Sequence, residues 1–392
     1  MQRFSANYVF PVTGNPIRNG IVEVDENGLI KAIIDPGSAP VELANTEFHN
    51  GIIIPGFVNA HCHTELSHLK GKTAKDRGMA EFVKQVKQLR GENTGAAEND
   101  TAFALADMYR QGTSAVADIC NSSVSFEAKN KSPIRFYNLI EVLGLDPTRK
   151  EMIWERAQIL QLIAEANGQN PVSIVPHSTY TLSKELWDLL QNEFSNQKLI
   201  SIHFAESKDD IEFSTSNSGQ LASVFTSWGL PINSIPAGTP IDIVKTYIPT
   251  TAKVLFIHNT YLTEYQLNEV KQHFPNAYFC FCPQSNLYIE NRLPNIPDFL
   301  SHSEYLTIGT DSYASSESLS MLEQIQIISD NFPLVGFSQI LQWATLNGAR
   351  ALGFENELGS IEIGKKPGLV LVSPFDFANM KTLSNSKARR LV

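Results

Sequence analysis

The sequence predicts an α/β protein: a (β/α)8 TIM-like barrel with a small β-sandwich domain formed by both chain termini. Three observations predict it. Eight short apolar runs alternate with longer amphipathic stretches, several of those runs end on histidine or aspartate, and the two ends of the chain share a turn-rich, strand-like texture. A short apolar run followed by a helix-period stretch marks a β/α unit, and eight such units close a barrel. The 392 residues accommodate a barrel of about 250 residues and a satellite domain.

Residues 1–54 read as short strands broken by turns: ANYVFPV, then NGIVEVDENGLIKAII with Asn27-Gly28 as a hairpin turn. Alternation in IVEV gives that strand one wet face. Residues 354–392 repeat the texture in GSIEIGKKPGLVLVSPF, so the two ends are expected to form one β domain with residues 55–353 as the barrel between them. The eight barrel runs are IIPGFVNAH, TSAVADIC, IRFYNLIEVLG, VSIVPH, LISIHF, KVLFIH, NAYFCFC and YLTIGTD. MAEFVKQVKQLR, TAFALADMYRQG, KELWDLLQNEF and TEYQLNEVKQHF read as intervening helices. The longest break, residues 205–252, reads as a loop walling the active site.

A net charge of -10 argues against nucleic acid as a partner. Cys62, Cys120, Cys280 and Cys282 make neither a disulfide framework nor a C-x-x-C pair. The opening 20 residues lack an apolar signal core, and no apolar run approaches the roughly 18 to 20 residues of a membrane span. A soluble cytoplasmic protein without membrane partners is expected.

His61, His177, His203, His258 and Asp311 all end predicted barrel strands, which is the catalytic rim of such a barrel. A lone strand-end histidine is more often structural, but five polar ends on one rim outweigh that reading. In His61-Cys62-His63, period-two alternation sends both imidazoles to one face and Cys62 to the other. Cys62 is then a small buried residue, the alternative being a thiolate ligand. His203 would supply a third nitrogen and Asp311 a carboxylate oxygen. Three histidines with a carboxylate suit one divalent ion, Zn2+ or in its place Fe2+, and such an ion brings bound water near neutral pKa. Glu206, three residues past His203, reads either as a proton carrier or as an exposed loop carboxylate, the latter being the reading for Asp209 and Asp210. His258 is left to orient the water or hold the leaving amine, and His68 is a loop residue over the site or merely exposed.

The motifs PGFVNAHCH (55–63), PHSTYTLS (176–183), HFAES (203–207), IHN (257–259), CPQSN (282–286), GTDSYASS (309–316) and the terminal GSIEIGKKPGLVLV stand in order along nearly the whole chain. As a set they resemble the amidohydrolase superfamily, in its mononuclear branch of cytosine, guanine, S-adenosylhomocysteine and aminofutalosine deaminases and triazine hydrolases. The resemblance implies metal ligands at His61, His63, His203 and Asp311, a proton shuttle at Glu206, His258 near the hydroxide and a substrate contact at His177. Binuclear relatives place a modified lysine where His177 stands, so one metal is expected. Two departures are visible. Phe82 stands in for a tryptophan that nucleoside deaminases of the branch carry after the metal motif, and Gly368 replaces a terminal-domain aspartate. The other zinc deaminase signature, H-x-E with P-C-x-x-C, is not met, because Cys282-Pro283 has the reverse order.

Glu65, Phe82, Arg90, Glu141, His177 and the segment from Ser312 to Ser315 are the candidate substrate contacts, each with a structural alternative. A buried carboxylate at Glu141 needs a cationic, hydroxyl or amine partner, whereas Arg90 suits the last turn of a helix as a cation. The expected activity is metal-dependent hydrolytic deamination of an aminated heterocycle, foremost a purine nucleoside of the aminodeoxyfutalosine or adenosine type. Guanine, pterin or triazine amino- or chlorohydrolysis is the alternative, as is cyclic-amide hydrolysis, which would favour two metals. A homodimer is expected by analogy.

Overall fold

The computed structural model describes residues 1–37, 43–90, 94–168 and 170–392. It is a mixed α/β fold with two four-stranded parallel sheets and one seven-stranded sheet. The first parallel sheet runs Phe57–Cys62, Thr113–Cys120, Arg135–Val142, Val172–Pro176, and the second Ile200–Phe204, Val254–His258, Ala277–Phe281, Leu306–Ile308. Each strand lies within one of the eight apolar runs, except that the first extends one residue beyond its run to Cys62. Such runs become strands because both faces are covered: Phe204, Phe256 and Phe279 pack outward with Trp187 and Leu267, while Val58, Ala60, Leu139, Leu255 and Ile257 pack in a separate cluster.

The two sheets are stitched at both seams. The backbone N–H of His203 donates to the carbonyl of His177 at 2.9 Å, and those of Thr310 and Asp311 donate to the carbonyl of His61 at 3.1 Å each. At the second seam Gly309 is required, since an added Cβ would lie 2.9 Å from His61 Cβ and 2.8 Å from its carbonyl oxygen. Strand-end residues from both sheets thereby converge.

The seven-stranded sheet joins the termini in the order Lys381–Arg390, Leu369–Asp376, Thr46–Pro55, Gln2–Val9, Ile21–Val24, Ile30–Ile34, with Ile17–Arg18 paired onto Gln2–Val9. Ile21–Val24 and Ile30–Ile34 are antiparallel around the left-handed Gly28. Gly368, where a side chain would collide with the Arg390 guanidinium, lets Arg390 donate to the carbonyls of Tyr109 and Thr113. The terminal strand is fastened to the parallel sheet in this way.

Residues 205–252 are not the long loop expected. They hold helices Lys208–Ser216, Gly219–Ser227 and Pro240–Tyr247, and capping boxes start the first and third, at Ser207 with Asp210 and at Thr239 with Asp242. Their short lengths, of nine, nine and eight residues, give little periodicity to read. Among the described residues no helix is long and apolar enough to cross a membrane.

Candidate metal centre and catalytic site

His61 and His63 share a face as alternation requires, and the seam brings Asp311 to them. His63 Nε2 lies 3.2 Å from His61 Nε2 and 3.3 Å from His203 Nε2. Asp311 Oδ1 is 3.5 Å from both His61 Nε2 and His63 Nε2. A tetrahedral ion with bonds of about 2.0 to 2.1 Å holds its donors about 3.3 to 3.4 Å apart. His61, His63 and Asp311 stand near that spacing from one another, and His203 does so from His63; all four are buried and fit a divalent metal ion.

The hydrogen bonds behind the donors agree with that fit. His203 Nδ1 donates to the carbonyl of His177 at 2.8 Å, which turns the unprotonated Nε2 toward the site. Asp311 Oδ2 accepts from Ser285 Oγ at 2.6 Å and Ser315 Oγ at 2.5 Å, leaving Oδ1 to the histidines. Burial, then neighbouring histidines, push His63 well below its ordinary pKa, and burial with His177 and His61 pushes His203 down to about 3. Their lone pairs are therefore open at neutral pH. Burial alone would raise the Asp311 carboxyl, but the neighbouring histidines, His61 first and then His63 and His258, hold it well below the usual carboxylate range.

Glu206 is buried, not exposed, and its Oε1 stands 3.3 Å from His258 Nε2 without the alignment of a hydrogen bond. Burial, with Asp311, Asp210 and Glu290 nearby, raises its pKa well above the ordinary value. Asp210, read as exposed from the sequence, is buried as well. Its Oδ2 accepts the backbone N–H groups of Glu206 at 2.7 Å and Ser207 at 3.1 Å. The overlooked signal was the capping spacing from Ser207 to Asp210.

His258 ends Val254–His258 with φ 73°. Phe256, two residues earlier, packs in the outer cluster, and the left-handed backbone breaks the alternation so that the His258 ring stacks 5.5 Å from that of His203. Asn286 Nδ2 faces His258 Nδ1 at 3.3 Å and donates to Thr260 Oγ1 at 2.6 Å. Donation from Asn286 leaves the His258 proton on Nε2, toward Glu206. Ala205 and Asp311 also have positive φ, at 48° and 58°. Such backbone is costly for side chains of this kind and gathers at functional sites.

A cavity of about 670 Å³ is lined among others by Glu65, His68, Arg90, Glu141, Arg149 and Arg156, and it approaches the donors through Glu141. Glu141 Oε2 accepts from Asn121 Nδ2 at 2.9 Å, while Oε1 is buried without a hydrogen-bond partner, 3.7 Å from His203 Nδ1. Glu141, His177 and His203 have donor atoms within 4.8 Å of one another. His203 Nδ1 already donates to a carbonyl, so it has no lone pair for a second ion there. Arg90 pairs with Glu65 at 2.5 Å, and Glu65 Oε2 accepts from the backbone N–H groups of Asn121 and Ser122. His177, whose Nδ1 lies 2.9 Å from Thr181 Oγ1, packs its ring 4.7 Å from that of His203.

Phe82, His177 and Ser312 are not among the cavity-lining residues. Phe82 packs against Leu66, Leu69 and Ala314, on the apolar stripe of its helix. Ser312 is buried in its own turn, where its Oγ accepts the N–H of Ala314 at 3.2 Å. Cys62 packs away from the donors, with Leu105, Val116 and Phe136. The sequence reading missed Asn286, Ser285, Arg149 and Arg156, and it took Ser315 as a substrate contact, whereas its hydroxyl donates to Asp311.

Residues 52–389 match the amidohydrolase family. The chain belongs to that family and is a hydrolase of carbon–nitrogen bonds. It is 26% identical over 331 residues to a protein named adenosine deaminase from Helicobacter pylori, covering 82% of this chain and 79% of the relative. It is 24% identical over 379 residues to a 5-methylthioadenosine/S-adenosylhomocysteine deaminase from Moorella thermoacetica, covering 93% and 83%. Helicobacter pylori aminofutalosine deaminase, solved with methylthio-coformycin, superposes with TM-score 0.83 at 21% identity over the whole of both chains. A zinc-bound adenosine deaminase from Xanthomonas campestris gives 0.71 at 23% identity, over 95% of this chain and 84% of that one. These likenesses show a shared fold.

Proposed function

We propose that the chain is a single-metal deaminase of adenine-type nucleosides that carry an extended, anionic substituent. His61, His63, His203 and Asp311 would hold the ion, Zn2+ by the chemistry of three imidazoles and a carboxylate, with Glu206 as proton carrier. The two parallel sheets are read as one closed (β/α)8 barrel over residues 55–353, on the strength of the hydrogen bonds at both seams. Residues 1–54 and 354–392 are read as the two parts of one small β-sandwich domain.

When bound, the ion supplies Lewis acidity and a water acidified to near-neutral pKa. Glu206, whose carboxyl burial raises well above its ordinary pKa, would hand a proton to the ring nitrogen beside the amine-bearing carbon as the water oxygen bonds to that carbon and the C=N pair moves to the nitrogen. Asp311 would take one proton from the water and pass it to the exocyclic amine, which leaves as ammonia with the C–N pair, while the added hydroxyl returns its proton to Glu206 as the C=O bond forms. His258 donates from Nε2 to the oxygen as charge develops there. Glu141 Oε1, buried and without a partner, is suited to accept from the hydroxyls of a ribose, which removes the cost of leaving it alone.

The observation that carries the substrate reading is the cavity. At about 670 Å³, running from Glu141 to Arg149 and Arg156, it exceeds what a free base fills, and its arginines suit an anion. The relatives named as deaminases of adenine nucleosides support the same reading. The test is ammonia release from adenine, guanine, triazines, pterins, adenosine and an adenosine bearing a 5′-linked carboxylate. The last is expected to give the highest kcat/KM, and a preference for free bases or triazines would overturn the reading.

A further inference from the structure

A wholly buried ion pair stands behind the His61-Cys62-His63 strand, outside the catalytic machinery. Lys129, on helix Phe126–Lys131, pairs with Asp118, and their side chains are 1% and 0% exposed. The register of Phe57–Cys62 with Thr113–Cys120 sets Asp118 beside Cys62. Both Asp118 oxygens are spent on one residue: Oδ1 accepts the Thr64 backbone N–H and Oδ2 the Thr64 hydroxyl, each at 2.7 Å. Lys129 also donates to Asn138 Oδ1 at 2.9 Å and to Cys120 Sγ at 3.2 Å, so the ammonium is held from three sides.

A buried ion pair is a poor source of stability compared with apolar residues of the same volume, because two charges leave water. Its presence here points to a positional task, and Thr64 names it. Thr64 follows His63, whose backbone (φ -121°, ψ 78°) starts the turn Thr64–Leu69. The ring of His203 is aimed by its Nδ1 bond to the His177 carbonyl. Among the described residues no hydrogen bond reaches His63 Nδ1, so the aim of that ring falls to the backbone at residues 63 and 64. The Thr64 carbonyl in turn accepts from Ser67 Oγ at 2.7 Å and Thr101 Oγ1 at 3.1 Å, which holds the peptide from the other side.

We propose that Asp118, fixed in place by Lys129, is a positioning residue that aims His63 at the metal by clamping Thr64. The inference rests on the reading of His63 as a ligand. Asp118→Ala in a Lys129→Met background removes both arms of the clamp with no unpaired charge left. Asp118→Asn in the same background keeps an acceptor for the Thr64 N–H and a donor for its hydroxyl oxygen.

Zinc affinity of the full chain is measured by competition with a chromophoric chelator, at a temperature where circular dichroism shows each variant folded. The visible spectrum of the cobalt-loaded protein reports the coordination geometry. The Ala/Met variant is expected to bind zinc about 10- to 100-fold more weakly with an altered cobalt spectrum, while the Asn/Met variant retains most of the affinity. Wild-type affinity in the Ala/Met variant, or equal losses in both, would overturn the clamp. If the Ala/Met variant does not fold, Thr64→Val removes the hydroxyl arm alone. Weaker zinc binding there supports the inference, and unchanged binding contradicts it. His63→Ala separates the two layers: retained metal in that variant refutes the ligand reading itself, whereas lost metal beside an intact Ala/Met site refutes only the clamp.

Discussion

The metal corner and the cavity beside it are built on opposite plans. At the corner, donors from three strand ends stand 3.2 to 3.5 Å apart, are buried, and are aimed by backbone carbonyls, serine hydroxyls and left-handed peptides. The cavity takes Ile140 and Glu141 from strand Arg135–Val142 but most of its lining from loops and from helix Lys150–Ala166, and exposed side chains such as Leu143, Met152 and Arg149 contribute to it. A corner that must hold one geometry takes its residues from strand ends, while a cavity whose shape can vary takes most of them from loops and helices. The reaction is thereby separated from the choice of substrate.

Substitutions at the corner should strike kcat and those in the cavity KM. The largest effect is expected from Glu206→Gln, which keeps shape and metal but not the proton, and lowers kcat about 10²- to 10⁴-fold in an ammonia-release assay. Near-wild-type kcat would take proton transfer away from Glu206. Next comes Glu141→Gln: losing charge-assisted acceptance from substrate hydroxyls should cost about 10- to 150-fold in kcat/KM for nucleosides. An equal loss with ribose-free substrates would move Glu141 out of the cavity's task and into the corner's.

A smaller effect falls on Arg149→Ala, an exposed cation, for which KM of a carboxylate-bearing nucleoside should rise about two- to fivefold and less at high salt. An identical change with adenosine would show that Arg149 does not read the anion. For activity the smallest change is expected from Asp210→Asn, which keeps an acceptor for the N–H groups of Glu206 and Ser207. Its signature lies in stability against pH. Burial raises the Asp210 carboxyl to about 7 from an ordinary 3.8. Between those values the folded chain holds the extra proton, so wild-type stability falls as pH rises through the window and levels off above it. Urea unfolding of the Asn variant should lack that component of the slope, and a steeper fall in the variant would contradict the assignment.

The same division decided what was legible in the sequence. The eight strands were readable because runs buried on both faces are continuous and apolar, and His61 with His63 because period two fixes their face. Asp311 and His203 were readable as strand ends that recur on one rim. Cavity residues were not, because Arg149 and Arg156 lie on a helix start whose approach to Glu141 depends on packing between distant segments. Asn286 and Ser285 act through contacts between distant segments with no local pattern to mark them. Phe82 is the converse case, since its spacing with Met79, Val83 and Val86 already fits an apolar helix stripe, which is where it packs. The buried Asp210 and the helices within 205–252 carried capping spacings that the length of the interruption obscured.

The strand-end corner is proposed to hold one catalytic metal. Its most direct test is to strip the protein with a chelator and titrate zinc back, following bound metal per chain and ammonia release from an adenine nucleoside together. Activity is expected to rise in step with binding and to reach its plateau at one equivalent, and His61→Ala should neither retain the ion nor recover. Full activity in the stripped chain, or a plateau only at two equivalents, would contradict the account.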